Sequence, residues 1–304
     1  MNRPIRKLVA GVATLQPDDP ALAAALALSG RTGAELHLVH VDAAETIPGM
    51  AVSLSRTGAL RGVVESVAPG VTGTGRVVCR ALSGDPEKRL RETSAASGAD
   101  LLVVGATRRG PLARAVLGTT ATHLLRTMRI PMLVARGPLP ERPLRVLMTT
   151  DLSHHAARAH GRGLALARAL CGGAAPEMRS LYVQTPCMAD GPMPLPLPPS
   201  GIGERDLLEF LDAESPGAAI TPRVRGGDPA SEIVHEAREW EADLLVMGTH
   251  GRRGAARVFL GSVAESVLSH APCAVLVIPP LSAELAEVPS GSAWELAGPP
   301  AWAV

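Results

Sequence analysis

The 304-residue chain carries one pattern twice. LLVVGATRRGPLARAVLGT, beginning at Leu101, aligns with LLVMGTHGRRGAARVFLGS, beginning at Leu244, at an offset of 143 residues. The same offset brings Gly84-Asp85-Pro86 onto Gly227-Asp228-Pro229 and Asp100 onto Asp243. Near the start of each copy, KLVAGVATL from Lys7 matches RVLMTTDLS from Arg145 at an offset of 138. The difference between the offsets is assigned to the middle of the repeat, where the second copy carries a proline-rich insert, Thr185 to Gly203. A duplicated pattern must bury the same apolar positions twice, so it dictates two units of one fold. The joint falls near Gly137 to Pro143. The units are 1–138 and 143–280, followed by a tail, 281–304, that carries Trp294 and Trp302.

Each copy alternates apolar runs of strand length with helical stretches. Strands are expected near Ile5–Ala13, Glu35–Val41, Arg76–Leu82, Asp100–Val104 and Met132–Ala135. Their counterparts are Leu144–Thr150, Glu177–Val183, Thr221–Arg225, Asp243–Met247 and Ala274–Ile278. Helices fill the gaps: Pro20–Ser29, Ala59–Val67, Pro86–Ser97 and Thr119–Met128, then His154–Leu170, Gly203–Leu211, Pro229–Trp240 and Ser262–His270. Asp85 and Asp228, each followed by proline, have the form of an N-cap with proline in the first turn. Such alternation implies the α/β class: two tandem, doubly wound, five-stranded parallel sheets with right-handed crossovers. In these sheets ligands sit beyond the carboxyl ends of the strands.

Both glycine loops leave a strand at that end. In the second copy, Gly248 and Gly251 follow the buried strand Leu244 to Met247, and Gly261-Ser262 precede a helix. Glycine lets backbone N–H groups approach a ligand, and a helix N-terminus adds unpaired donors with partial positive charge. That combination cradles phosphate, although no Gly-Lys pair of the Walker kind occurs. Asp151 ends the first strand of this copy, where it serves either as a helix cap or as an acceptor for ribose or base; Ser153 is a competing cap. The first copy is weaker. Gly105, Gly118 and Thr119 remain, but Arg108 stands at the inner glycine position and Ala13 at the position of Asp151.

Other chemistry finds little support. Net charge is +1, which gives no electrostatic case for nucleic acid or an anionic membrane. Aromatic residues are only 2% of the chain, so the cores must be aliphatic. Cys79, Cys171, Cys187 and Cys273 form no CxxC pair and read as free thiols of a reducing, cytoplasmic compartment. No leader or membrane-spanning run is evident. His154, His155 and His160 lie on one predicted helix without ligand spacing, and His250, inside the glycine loop, is assigned no chemistry. No nucleophile–histidine–acid set or Gly-x-Ser-x-Gly is present, so no catalytic or metal-ligating residue is assigned.

Taken together, these residues resemble the universal stress protein family, whose signature is Gly, two residues, Gly, nine residues, then Gly followed by Ser or Thr. Gly248, Gly251, Gly261 and Ser262 match it in full, and Asp151, both Gly-Asp-Pro motifs and ADLLVMGTHGRRG add to the match. The resemblance implies a Rossmann-like fold of the adenine nucleotide alpha hydrolase kind that binds ATP, or AMP or ADP, with Mg2+ admissible beside ATP. It implies that Gly248, Gly251, Gly261 and Ser262 hold phosphates and ribose, that Asp151 meets the adenosine end and the backbone near Val183 the base, and that Met247 and Val263 flank the pocket. It also implies that the last strands, MLVA and AVLVI, pair across an internal pseudo-twofold, with a further homodimer admissible. The leading expectation is a nucleotide-binding stress-response regulator with at most slow hydrolysis or autophosphorylation at Ser262. The alternative is a scaffold with a vestigial site and an unidentified protein partner. On either reading the tail is expected to dock on the other half of the chain or on a second subunit. A hydrolase would need a catalytic set that the sequence does not supply.

Overall fold

The computed structural model describes residues 5–42, 50–108, 115–185, 202–249 and 260–280. The first half runs β1 (Lys7–Val12), α1 (Pro20–Thr32), β2 (Glu35–Asp42), α2 (Met50–Val67), a short 3-10 helix (Val71–Thr74), β3 (Val77–Ser83), α3 (Pro86–Ser97) and β4 (Leu101–Gly105). It continues through β5 (Thr107–Arg108), β6 (Ala115–Val116), α4 (Thr119–Thr127) and β7 (Met132–Ala135). The second half runs β8 (Arg145–Thr150), α5 (His154–Leu170), β9 (Glu177–Gln184), α6 (Ile202–Glu214), β10 (Thr221–Gly226), α7 (Pro229–Glu239), β11 (Leu244–Gly248), α8 (Ser262–His270) and β12 (Ala274–Ile278). Ten of the strands form one sheet, ordered β10-β9-β8-β11-β12-β7-β4-β1-β2-β3.

The Asp-Pro signals start helices as expected. Asp85 accepts from the Lys88 N–H at 2.7 Å, and Asp228 from the Ser231 N–H at 2.9 Å. Each cap is worth about 1 kcal/mol. The equivalence of Asp100 and Asp243 also acquires a cause. Asp100 accepts from the backbone N–H groups of Arg6 and Lys7 at 2.8 and 3.1 Å, and Asp243 from that of Arg145 at 2.8 Å. Each carboxylate pins the first strand of its half beside the fourth.

Within each half the pairings of the ten-stranded sheet are all parallel. The halves join where β12 meets β7 antiparallel, with Val275 opposite Val134, Leu276 opposite Leu133 and Val277 opposite Met132. Leu133 and Leu276 are equivalent in the repeat, so the pseudo-twofold passes through a pair of fully buried leucines. The five-stranded sheets are therefore continuous rather than side by side. The core divides by sheet face instead of by half. One apolar cluster holds Leu8, Leu36 and Leu133 with Val146, Leu164 and Leu276. The opposite cluster holds Val9, Leu102 and Val134 with Leu147, Leu245 and Val275.

Three expectations need correction. The sheet registers place the offset change earlier than the proline-rich segment: Lys7 and Arg145 pair with Glu35 and Glu177, so the offset is already 142 at the second strand. The extra residues lie in α5 and its flanks, since α5 has 17 residues where α1 has 13. The proline-rich segment has a counterpart of nearly equal length in the first half, so it is not an insert. Next, α2 begins at Met50 and runs through Gly58, well before the expected Ala59 start; packing on β3 outweighs the low propensity of glycine. Last, β5 and β6 form a two-residue antiparallel ribbon that no strand-length run announces.

One departure between the halves is electrostatic. Glu236 on α7 is 1% exposed and stands where the first half has Thr93. Burial would raise its carboxyl pKa, but Arg179 and Arg225 donate to it at 2.7 and 2.6 Å and hold it below the usual carboxylate range. Arg223 lies 3.6 Å away, and the Arg179 guanidinium stacks 4.4 Å over the Trp240 ring. Glu236→Ala should therefore leave clustered guanidinium charge against α7 and destabilise by about 3–5 kcal/mol, seen as a lower urea midpoint at unchanged m.

His160 on α5 is 2% exposed, meets Phe210 edge-to-face at 5.2 Å, and has no hydrogen-bond partner on either ring nitrogen among the described residues. Burial pushes its pKa down from 6.5 to about 4. Between those values the unfolded chain binds a proton that the folded chain rejects, so stability falls as pH drops through that window. His160→Leu should flatten the dependence of the urea midpoint on pH between pH 6.5 and 4 and raise stability at pH 5 relative to the parent.

Candidate functional site

The carboxyl end of β8 turns into α5 in three residues, Asp151, Leu152 and Ser153. So short a connection forces Leu152 to φ 62°, a left-handed conformation that costs a non-glycine residue roughly 1 kcal/mol. A cascade of side chains compensates. Thr150 Oγ1 accepts from the Leu152 N–H at 3.0 Å, Asp151 Oδ1 from the Ser153 N–H at 3.0 Å, and Ser153 Oγ from the Ala156 N–H at 3.1 Å. Ser153 is the N-cap of α5. Asp151 is thus released from capping and sits, half-buried, at the sheet edge.

Beside it, β11 ends at Gly248, followed by Thr249, which is 4% exposed. The next described residues are Leu260 and Gly261. The Gly261 N–H donates to the Thr249 carbonyl at 3.0 Å, which closes the base of the glycine loop. A Cβ at Gly261 would lie 3.2 Å from that carbonyl oxygen. Gly261 is the N-cap of α8 and, as a glycine, has no side chain with which to cap the helix. By contrast, α1, α3, α5 and α7 are capped by Asp19, Asp85, Ser153 and Asp228. The first turn of α8 therefore offers backbone donors and the positive end of its dipole at the carboxyl edge of the sheet. Ser262 is exposed in that turn, and Val263 is half-buried.

The third component is β9. Thr150 lies opposite Tyr182, so Asp151 and Val183 are the next residues outward on adjacent strands. Val183 and Met247 belong to one apolar cluster, with Val263 packed against it. The fold thus gathers Asp151, Val183, Met247, Gly248, Gly261, Ser262 and Val263 around the ends of β8, β9 and β11. Gly251 and His250 lie outside the described residues, as do Cys187 and the tail with Trp294 and Trp302. Among the described residues no set of His, Cys, Asp and Glu could hold a metal ion, and no helix is long and apolar enough to cross a membrane.

The first half is arranged differently. Its β1–α1 connection is longer, and Asp19, 2% exposed, organises it. Asp19 Oδ1 accepts from the Ala21 and Leu22 N–H groups at 2.9 and 3.1 Å and caps α1. Its Oδ2 accepts from the N–H groups of Ala13 and Thr14 at 3.1 and 2.9 Å and from Thr14 Oγ1 at 3.1 Å. The position of Asp151 is thus an alanine whose own N–H is bound to a neighbouring carboxylate. Gly105 ends β4, and Gly118 and Thr119 open α4, again without a side-chain cap. The loop between them pairs with itself, Thr107 opposite Val116 and Arg108 opposite Ala115. Asp19 escaped the sequence reading because it matches nothing in the second half; its placement before Pro20 was the available signal.

A cleft of about 660 Å3 lies elsewhere. It lies where the C-terminal ends of α1 and α5 meet and is lined by Ile5, Arg31, Thr32, Arg168, Gly172 and Met178. Arg31 and Arg168 are the basic residues of the last turns of those helices, where they oppose the helix dipoles. No described residue of either glycine loop lines it.

A model of the universal stress protein family matches residues 4–136 and again 144–279. The chain belongs to the universal stress protein family. It carries two universal stress protein domains in tandem. A universal stress protein of Methanocaldococcus jannaschii is 50% identical over 66 residues, 22% of this chain and 39% of that protein, so the match spans well under two thirds of the relative's length. A solved universal stress protein of Archaeoglobus fulgidus shares the fold across both domains, with a TM-score of 0.60 and 19% identity over 89% of this chain and 98% of that one. A universal stress protein of Arabidopsis thaliana, solved with AMP bound, is 23% identical over 49% of this chain and 97% of that one, with a TM-score of 0.35.

The closure of the universal stress protein loop at Thr249 and Gly261 can be tested directly. Gly261→Ala should force the Thr249 carbonyl away from its hydrogen bond and cost about 1–3 kcal/mol, measured by urea unfolding, with faster amide exchange at residue 261.

Proposed function

We propose that this universal stress protein is an adenine-nucleotide-binding regulator of the stress response that holds one nucleotide, ATP or its AMP and ADP relatives, in its second half. The observation that carries the reading is the uncapped first turn of α8 beside Asp151 at the same sheet edge. Phosphate oxygens would accept from the α8 backbone and from Gly248, Gly251 and Ser262, while Asp151 would accept from the ribose. Val183, Met247 and Val263 would supply apolar contact. Mg2+ enters only as the counter-ion of ATP, bound through the phosphates.

The same reasoning argues against the first half as a nucleotide site. Its Ala13 N–H is taken by Asp19, and its loop backbone is paired at Arg108. We read the arrangement as a binding site rather than a centre of rapid chemistry; among the described residues, His155 lines a small recess with Gly248 and Thr249. Reduced Cys79, Cys171 and Cys273 accord with a cytoplasmic setting.

Titration calorimetry of the full chain with ATP and AMP tests the reading. One equivalent should bind. Gly251→Arg, which imitates Arg108, should weaken binding at least tenfold while the urea midpoint stays within that of about 1 kcal/mol. Two equivalents at saturation would restore the first half as a site. No binding at millimolar nucleotide would leave the scaffold reading, with the nucleotide site vestigial.

A further inference from the structure

The cleft between the ends of α1 and α5 belongs to neither half alone. Ile5, Arg31 and Thr32 come from the first half, and Arg168, Met178 and Ala219 from the second. One wall is a connection that the halves do not share. From α1 to β2 the chain needs only Gly33 and Ala34, whereas from α5 to β9 it runs from Cys171 to Pro176. Gly172 and Gly173 take φ 61° and 94° in that turn. A Cβ at Gly172 would lie 2.5 Å from the Arg31 carbonyl oxygen. Glycine permits both the conformation and the close approach to α1. The volume, about 660 Å3, falls within the roughly 300–1,000 Å3 of small-molecule sites, which favour such junctions.

The cleft carries an excess of positive charge. No acidic side chain lines it. Arg31 donates to the Pro140 carbonyl, which occupies one N–H group and leaves its charge uncompensated. Arg168 is exposed and has no hydrogen-bond or ion-pair partner among the described residues. The ends of α1 and α5 bring negative dipole charge of about −0.5 each. Part of that is already met. The Thr32 hydroxyl donates to the Leu28 carbonyl at 2.7 Å and the Gly33 N–H to that of Ser29 at 2.9 Å. The Cys171 and Gly172 N–H groups donate to those of Arg168 and Ala169, both at 3.2 Å. Two guanidinium groups against two such helix ends leave about one positive charge unbalanced. It persists at any physiological pH, because arginine stays protonated. Much of the remaining lining is apolar, with Ile5, Ala169 and Met178 continuous with the core.

We infer that this cleft is a ligand site for a small amphipathic monoanion, a carboxylate on a compact apolar body. The carboxylate pairs with the Arg168 guanidinium beside the charge of Arg31, and the body lies on Ile5, Ala169 and Met178. A guanidinium fork matches the two oxygens of a carboxylate. One unbalanced charge suits a monoanion better than the multiply charged phosphates of a nucleotide. No described residue of either glycine loop lines the cleft, so this site does not depend on the nucleotide reading.

Three probes separate charge from apolar contact: 3-phenylpropionate, its neutral amide 3-phenylpropanamide, and acetate. Each is titrated calorimetrically into the full chain and into Arg168→Met, which keeps an apolar stem on an exposed helix position and removes the charge. The parent should bind 3-phenylpropionate about tenfold more tightly than the amide, one charge-assisted hydrogen bond's worth, and more tightly than acetate. Arg168→Met should lose the preference for acid over amide. Nuclear magnetic resonance of the parent locates the probe without any variant: 3-phenylpropionate should shift the amide signals of Gly172 and Gly173 and leave those of Gly248 and Gly261 in place. Equal binding of acid and amide, a preference that survives in Arg168→Met, or shifts confined to Gly248 and Gly261 would each overturn the inference. So would acetate binding as tightly as 3-phenylpropionate, or no binding of 3-phenylpropionate at millimolar concentration.

Discussion

The antiparallel ladder between β7 and β12 is the interaction on which the rest of this structure depends. Only three residue pairs are in register, yet they turn two five-stranded sheets into one of ten strands. Without the ladder, each half would end in a strand with apolar faces and an open row of N–H and C=O groups, the kind of edge that invites aggregation. Leu133 and Leu276, on the pseudo-axis, are both fully buried, so the seam is as dry as the centre of either half. Each apolar cluster consequently runs through both halves on its own side of the sheet.

Much of this was legible in the sequence because it is governed by short-range patterns. The strands β4, β7, β11 and β12 are uninterrupted apolar runs, and Asp-Pro and Gly-Asp-Pro fix where α3 and α7 begin. The pairing of MLVA with AVLVI came from family resemblance and from no local pattern; the ladder bears it out. What escaped reading depends on contacts between distant residues. The start of α2 is set by packing on β3, and the offset change by the length of α5, which only the sheet registers disclose. The buried Glu236, ringed by Arg179, Arg223 and Arg225, is indistinguishable in sequence from a solvated helix face.

The placement of the candidate site was legible to a similar degree. Gly248, Gly261, Ser262 and Asp151 were singled out from sequence and Val183 from the family resemblance, and the fold brings them to neighbouring strand ends. Whether Asp151 or Ser153 caps α5 could not be read, since both residue types are good caps; the three-residue turn decides it by placing Ser153 at the helix start. The role of Asp19 was invisible for the opposite reason. It belongs to a connection peculiar to the first half, and internal comparison informs only where the copies agree.

The seam also bears on how the two copies can change over generations. Since neither core belongs to one half, selection for a stable chain acts on both sheets together, however little the first half contributes at its own loops. Strand residues such as Leu133 are held by what their partners across the axis require. Loop residues such as Ala13 and Arg108 are held by no such demand. A duplicated chain fused in this way can let one loop drift while its sheet stands still, because each sheet is the other side of a shared interior.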